Sequence, residues 1–259
     1  MKRGRNIVAF LLFLVSMVST AGCESVITEN ACLSEEHVEA SDVPASEKKY
    51  ESSKQNKSIE EMMREIEKKR LPSSVALDVE PIYQEPELPT GCEAVSLTML
   101  LAYEGFDLEK MTIAEEYLVY SKNWDLDEGY VGNPTTYEGA GCFPPTIVQT
   151  AKKYLTAQKS SLEAVDLTGK SMEELLHYVA DGHPVAVWTS MYMEPPILTE
   201  QEESTFPWYD TEHCVVLSGY DLEEDILIVQ DPLMGTIDRK QEEFTEIYDF
   251  IGQYAVVLL

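Results

Sequence analysis

The sequence predicts an α+β fold for the C-terminal part of the chain, and two observations support this class. Helical patterns come first, between residues 92 and 179, and apolar strand patterns follow, between residues 184 and 259. Doubly wound α/β proteins instead alternate strands and helices along the chain. With 259 residues and 44% hydrophobic content, the chain can form one domain of ordinary size together with additional segments.

The first 22 residues have the organisation of a signal peptide. A basic start is followed by an apolar stretch from Ile7 to Val18, which is short for a membrane span, and then by small residues that lead to Cys23. This context resembles a bacterial lipobox and predicts lipidation of Cys23, although Thr20 stands where the motif usually has leucine. Simple secretion and an uncleaved N-terminal anchor are the alternatives. All three place the folded part outside the cytoplasmic membrane.

Residues 23–73 form a polar linker in which Glu, Ser and Lys dominate. Such a composition buries too little apolar surface to offset the loss of chain entropy, so we expect this acidic segment to be disordered. One charged helix from Ser58 to Arg70 is the alternative. The formal net charge of the whole chain is -28, which excludes nucleic acid as a natural partner because phosphate binding requires a basic surface.

The domain predicted at residues 74–259 opens with a strand at 75–79 and a proline-rich loop. A helix is expected from Cys92 to Tyr103, and because it is apolar around most of its circumference, we expect it to be buried. Gly105 is a suitable residue to end it. Thr112 is then predicted to cap a second helix over residues 113–120.

Residues 123–145 form a long loop rich in Gly, Pro and aromatic residues, and loops of this length are usually either functional or disordered; the aromatic residues favour the first. We expect it to line a cleft. A helix should follow from Pro145 to Tyr154, and Ser171 with Glu174 predicts a capping box at the start of another helix. The remaining elements are strands, predicted at residues 184–190, 214–220, 226–230 and 254–259.

Cys92 is the first candidate for chemistry because it lies at a predicted helix start. The positive end of the helix dipole there predicts a lowered pKa and a nucleophilic thiolate. A second candidate is His213, at the start of an apolar strand. The polar break at residues 221–225 predicts a β-hairpin, whose register brings His213 close to Asp231. A carboxylate beside a histidine fixes the tautomer of the imidazole.

These residues fit the logic of nucleophile, base and orienting carboxylate. The oxyanion of an acyl-transfer reaction also requires donors, and the backbone N–H of Cys92 and the side-chain amide of Gln84 are the candidates. Two further cysteines, Cys142 and Cys214, are predicted to be buried. The cysteine spacing matches no zinc pattern, and we expect neither a metal nor an organic cofactor.

Several motifs in the same order resemble the C39-like cysteine peptidases, specifically a secreted or lipoprotein branch that lacks a transporter. The resemblance covers approximately residues 76–259. The motifs that carry it are Tyr83-Gln84, Pro89 to Leu97, Gly141 to Pro145, Pro184 to Thr189, His213 to Tyr220, and Asp231 to Gly235.

The resemblance implies a papain-like fold in which an N-terminal catalytic helix packs on an antiparallel sheet. It also implies a cysteine peptidase with Cys92 as nucleophile, His213 as general base and acid, Asp231 as orienting residue and Gln84 as oxyanion donor, acting on a peptide or protein. An acyltransferase that uses the same residues, and a non-catalytic binding module on the same scaffold, are the alternatives.

Overall fold

The computed structural model describes residues 70–199 and 209–259. The predicted signal peptide at 1–22, the predicted lipidation site Cys23 and the linker up to residue 69 therefore lie outside the described residues. Within the described ranges, no helix is both long enough and apolar enough to cross a lipid bilayer.

An antiparallel sheet of seven strands forms the centre of the described structure. Its strands are β1 (Ser74–Ala76), β2 (Ala164–Asp166), β3 (Val185–Ser190), β4 (Glu212–Asp221), β5 (Ile226–Asp231), β6 (Gly235–Lys240) and β7 (Ala255–Leu258). The spatial order is β2-β7-β3-β4-β5-β6, and β1 pairs with the C-terminal end of β4. The long strand β4 therefore lies near the middle of the sheet.

Helices cover both faces of this sheet. They are α1 (Cys92–Tyr103), α2 (Lys110–Thr112) with a following π-helical turn (Ile113–Tyr117), α3 (Pro144–Ala157), α4 (Met172–Ala180) and α5 (Gln241–Ile251), with a 3-10 turn at Met191–Met193. Side chains alternate along β4, so Cys214 and Val216 join the core with α1 and α3, whereas Val215 and Leu217 join the core with α4 and α5.

The prediction for α1 is confirmed in both its bounds and its burial. Every residue from Cys92 to Leu101 is buried, because the helix is enclosed by the sheet and by α3 and the loops around it. The capping box of α4 is also confirmed, since Ser171 accepts a hydrogen bond from the backbone N–H of Glu174 and the Glu174 side chain accepts one from the N–H of Ser171.

Some sequence predictions were wrong or incomplete. Thr112 is not a helix cap, because α2 already begins at Lys110 and continues into the π-helical turn. The strand β6 was missed because its alternating polar side chains give a weak apolar pattern at the edge of the sheet. The short strand β2 and the helix α5 were also missed.

The predicted hairpin that carries two site candidates is confirmed. Strands β4 and β5 pair in antiparallel register, with Leu217 opposite Val229 and Asp221 opposite Ile226, and the register shifts between Leu217 and Gly219. These pairs fall within the predicted register. The hairpin therefore brings the start of β4 and the end of β5 to the same edge of the sheet.

Candidate active site

Cys92 is the first residue of α1, and its thiol is almost fully buried. The thiol Sγ–H donates a hydrogen bond to Oε2 of Glu93 at 3.4 Å. Within the part of the chain that the structure describes, no hydrogen bond joins this thiol to His213. The direct partner of the candidate nucleophile in this structure is therefore a carboxyl group.

The environment of Cys92 corrects the prediction that its pKa is lowered. Burial raises the pKa of the Cys92 thiol well above its ordinary value, and the charges of Glu93 and Glu212 raise it further. A hydrogen bond from the backbone N–H of Cys214 acts in the opposite direction. The position at the start of α1 does not outweigh the loss of water and two neighbouring carboxyl groups.

His213, the candidate general base, is hydrogen-bonded to the carboxylate of Asp231. Nε2 of His213 lies 2.8 Å from Oδ1 of Asp231, and both side chains are buried. A carboxylate can only accept here, so Nε2 carries the hydrogen in the neutral imidazole, and Nδ1 is then the basic nitrogen. The imidazole is thereby oriented to take up a proton at Nδ1.

Asp231 is held in place by more than the histidine. Its Oδ1 also accepts the backbone N–H of Leu233 at 2.8 Å, and its Oδ2 lies 3.4 Å from the guanidinium of Arg239. Burial acts to raise the pKa of Asp231, but the hydrogen bond and charge of His213, the Leu233 N–H and Arg239 outweigh it, and the pKa is lowered. Asp231 therefore stays ionised.

Gln84 lies in the loop before α1 and is 3% exposed. Its backbone N–H donates to the carbonyl of Pro232 at 2.9 Å, which ties this loop to the end of β5. Its Nε2 donates one hydrogen to the carbonyl of Pro89 at 2.8 Å, so the second hydrogen remains for an oxyanion. The backbone N–H of Cys92 has no acceptor within α1, because it is in the first turn.

A cleft of about 100 Å³ brings these candidates together. Residues from the loop before α1, the long loop, the 3-10 turn and the start of β4 line it: Gln84, Pro89, Thr90, Cys92, Gly139, Ala140, Gly141, Met191, Tyr209, Asp210, Glu212 and His213. The long loop thus lines a cleft, as predicted. Its aromatic residues do not, because Trp124 and Tyr137 are exposed elsewhere and Tyr130 is buried with its hydroxyl donating to Thr90.

Residues 76–256 match the model of the Peptidase_C39 like family, which is about two thirds of the chain. The chain belongs to this family. An uncharacterised protein, YvpB of Bacillus subtilis, is 32% identical over 184 residues, covering 67% of this chain and 70% of YvpB. A crystal structure assigned as a C39-like peptidase from Bacillus anthracis is 34% identical, with a TM-score of 0.62, and covers 72% of this chain and 97% of that protein.

The predicted C39-like family and the predicted α+β fold, with the helix that carries Cys92 packed on an antiparallel sheet, are confirmed. The structure brings Gln84, Cys92 and His213 to one cleft and joins His213 to Asp231. Their catalytic roles remain predictions.

Sequence reasoning missed two residues of the site, Glu93 and Glu212. Oxygens of both carboxyl groups and the sulfur of Cys92 lie within 4.8 Å of one another, a spacing that is also compatible with a metal ion. A signal for Glu93 was present, because a carboxylate in a helix predicted to be buried on all sides must itself be buried. For Glu212 the sequence had no comparable signal, since charged residues commonly precede a strand.

Proposed function

We propose that this C39-like peptidase hydrolyses peptide bonds through an acyl-enzyme, with Cys92 as nucleophile, His213 as general base and acid, and Asp231 as the residue that orients the imidazole. The observation that carries the proposal is the 2.8 Å contact between His213 Nε2 and Asp231, at a cleft that Cys92 also lines. An oriented base beside a cysteine at a helix start is the arrangement that thiol acyl transfer requires.

The reaction begins when the thiol of Cys92 rotates about its Cα–Cβ bond from Glu93 towards Nδ1 of His213, which takes its proton. The sulfur bonds to the carbonyl carbon of the substrate, and the oxyanion accepts hydrogen bonds from Gln84 Nε2 and the Cys92 N–H. The imidazolium gives its proton to the leaving amine as the C–N bond breaks, which leaves a thioester on Cys92. Water, deprotonated by His213, then releases the carboxylic acid product and the thiol.

The experiment compares hydrolysis of a mixture of peptides by the wild-type protein, by Cys92→Ala, and by the control Cys32→Ala, which removes a cysteine of the predicted linker. We expect the wild type and Cys32→Ala to release peptides with new carboxyl ends, and Cys92→Ala to release none while retaining its thermal unfolding transition. Products that carry an added amine instead of a carboxyl end would make the enzyme an acyltransferase. Equal cleavage by Cys92→Ala would overturn the proposal.

We further propose that the enzyme acts outside the cytoplasmic membrane, anchored by a lipid on Cys23. The support is the basic start, the apolar stretch and the small residues that precede Cys23. In cells grown with a labelled fatty acid, the wild-type protein should become labelled and Cys23→Ala should not. Release of unlabelled wild-type protein into the medium would favour simple secretion.

A further inference from the structure

Two carboxyl groups, one fully buried and one partly buried, lie beside the thiol and have no role in the steps above. Glu93 is fully buried, and its Oε2 accepts the thiol of Cys92 while its Oε1 accepts the backbone N–H of Cys142 at 2.6 Å. Glu212 directly precedes His213 and lines the cleft. Oxygens of both carboxyl groups lie within 4.8 Å of the sulfur and of each other.

Two side-chain acceptors of this cleft have no donor in the described residues. Oε1 of Glu212 is buried and has no hydrogen-bond partner in the part of the chain that is described. The same holds for Oε1 of Gln84, whose side chain is almost fully buried and lines the same cleft. The described lining also contains Asp210 and neither lysine nor arginine. Buried acceptors without donors are costly, so the cleft favours a ligand that brings N–H groups.

The charge of Glu93 opposes ionisation of Glu212. Burial raises the pKa of Glu212 well above its ordinary value, and the neighbouring charge of Glu93 raises it further. Burial also raises the pKa of Glu93. Two like charges at this separation repel each other, so ionisation of both groups is unfavourable. A positive group on a ligand would offset this repulsion.

A glycine in the long loop makes room for this arrangement. Gly141 has φ +100°, and a Cβ at this position would lie 2.6 Å from Oε1 of Glu93 and 3.0 Å from Oε2 of Glu212. Both distances are shorter than van der Waals contact, and the backbone conformation is one that other residues adopt only with strain. The arrangement of the two carboxyl groups and of the cleft next to them therefore requires glycine at position 141.

The distance between the carboxyl oxygens and the sulfur of Cys92 determines where a positive group of the substrate can lie. A carbonyl carbon ready for attack lies about 3–3.5 Å from the nucleophile. Since the carboxyl oxygens lie within 4.8 Å of the same sulfur, a positive group close to the scissile carbonyl can reach them. We propose that Glu212, supported by Glu93, forms a subsite for an ammonium or guanidinium group next to the scissile bond of the substrate. This subsite rests on the proposed peptidase function.

Binding of a cation would also prepare the nucleophile. The carboxyl charges are among the causes that raise the pKa of Cys92, so a positive group between them and the sulfur favours the thiolate. Substrates with the positive group thereby gain reactivity as well as affinity. The positive group is either a free α-amino group of the residue that supplies the carbonyl or the side chain of a neighbouring Lys or Arg.

The decisive experiment measures thiol labelling and does not need hydrolysis. Methanethiosulfonate reagents transfer an alkylthio group to the sulfur of Cys92 and release methanesulfinate, and they exist with an ammonium group or as neutral molecules. We expect the ammonium reagent to label Cys92 faster than the neutral reagent by on the order of tenfold or more. Glu212→Gln should reduce this ratio several-fold, whereas Glu242→Gln, which removes one exposed charge on α5, should keep it.

High salt separates the subsite from the overall acidity of the chain. At about 1 M salt the Debye length is about 3 Å, so attraction by the diffuse net charge is screened while a partly buried contact persists. A labelling ratio that stays high in salt supports the subsite, and this holds even if Glu212→Gln fails to fold. A ratio that is unchanged by Glu212→Gln, or that falls to one in salt, overturns it.

Matched peptides then identify the source of the charge. One pair differs only by acetylation of the α-amino group, and a second pair only by lysine against norleucine beside the scissile bond. Loss of cleavage on acetylation assigns the α-amino group, and a preference for lysine assigns the side chain. If the wild type cleaves no peptide while the labelling ratio holds, the proposed peptidase function fails and the subsite stands. If it cleaves both members of each pair equally, the subsite fails and the peptidase function stands.

Discussion

The two sides of the candidate nucleophile carry carboxyl groups of similar burial and opposite behaviour. Asp231 has partners for both oxygens, namely His213, Leu233 and Arg239, and its pKa is lowered. Glu93 is equally buried, and its oxygens accept only from neutral donors, the thiol of Cys92 and the backbone N–H of Cys142; these do not outweigh burial, and its pKa is raised. The nature of the neighbours, rather than burial alone, therefore decides whether a carboxyl group in this site is charged.

The two sides therefore have different expected effects on the candidate base and on the thiol. In the proposed mechanism, Asp231 holds the base in one orientation, whereas burial together with Glu93 and Glu212 favours the protonated thiol before a substrate binds. Each side can be disturbed by a single substitution.

Removal of the base should have the largest effect. His213→Ala is expected to reduce kcat/KM for peptide cleavage by about 10²–10⁴-fold, which is the usual contribution of a positioned general base. Peptide cleavage under steady-state conditions measures the change. His177→Ala, which removes a half-buried imidazole on α4, is the control and should retain activity. Equal activity of both variants would contradict the assigned role of His213.

Loss of the orienting carboxylate should have a smaller effect on activity and a separate effect on acid stability. Asp231→Asn should lower kcat more than KM, because the amide can present N–H groups to His213 and favour the wrong tautomer. Asp238→Asn, at an exposed position of β6, is the control.

The stability effect of Asp231 follows from the direction of its pKa shift. Because its folded-state pKa lies below the ordinary 3.8, its contribution is present above that value and is lost as the pH falls through the folded-state pKa. Wild-type protein should therefore lose stability in strong acid more steeply than Asp231→Asn. Chemical unfolding at a series of pH values measures the free energy of unfolding of both proteins. If it falls equally in the wild type and in Asp231→Asn as the pH is lowered, this assignment is contradicted.

Glu93→Gln should show the opposite pH dependence. The folded-state pKa of Glu93 lies above the ordinary 4.5, so the wild type loses stability as the pH rises from 4.5 through the folded-state pKa. Glutamine keeps an acceptor for the N–H of Cys142, so the variant should unfold at higher temperature than the wild type at neutral pH. The exposed Glu242→Gln should leave the unfolding temperature unchanged, and a less stable Glu93→Gln would refute the account that burial disfavours the charged form of Glu93.

Gly141→Ala tests the space around the carboxyl pair. Both Gly141 and Gly105 have positive φ, and alanine at either position should cost about 1–2 kcal/mol for the backbone alone. A Cβ at Gly105 meets nothing within 4 Å, whereas one at Gly141 meets Glu93 and Glu212. Thermal unfolding should therefore show a larger loss for Gly141→Ala than for Gly105→Ala. Equal losses would mean that the carboxyl groups move aside freely.

The sequence was sufficient for the parts of the site that depend on local patterns. A cysteine at the start of an apolar helix predicted α1 with its observed bounds, and a polar break between two apolar runs predicted the hairpin that joins His213 to Asp231. Both depend on short-range periodicity and on turn position, which a single sequence contains.

The charge state of the thiol could not be predicted in the same way. It depends first on the burial of the thiol and then on the charges of Glu93 on α1 and Glu212 on β4, which are 119 positions apart in the chain and come together only when the helix packs on the sheet. The helix dipole, which the sequence does predict, acts in the opposite direction from burial and these carboxyl groups. The preference of the Cys92 thiol for its protonated form therefore results from tertiary packing.

The rate of Cys92 alkylation by iodoacetamide, measured as a function of pH in three proteins, tests the central claim most directly. Alkylation reports the thiolate, so each rate profile measures how the two sides of the site act on the sulfur. We predict that His213→Ala is alkylated more slowly than the wild type at neutral pH and that Glu212→Gln is alkylated faster. Coincident profiles for the three proteins, with Cys92 confirmed as the labelled residue by peptide mass, would contradict the account.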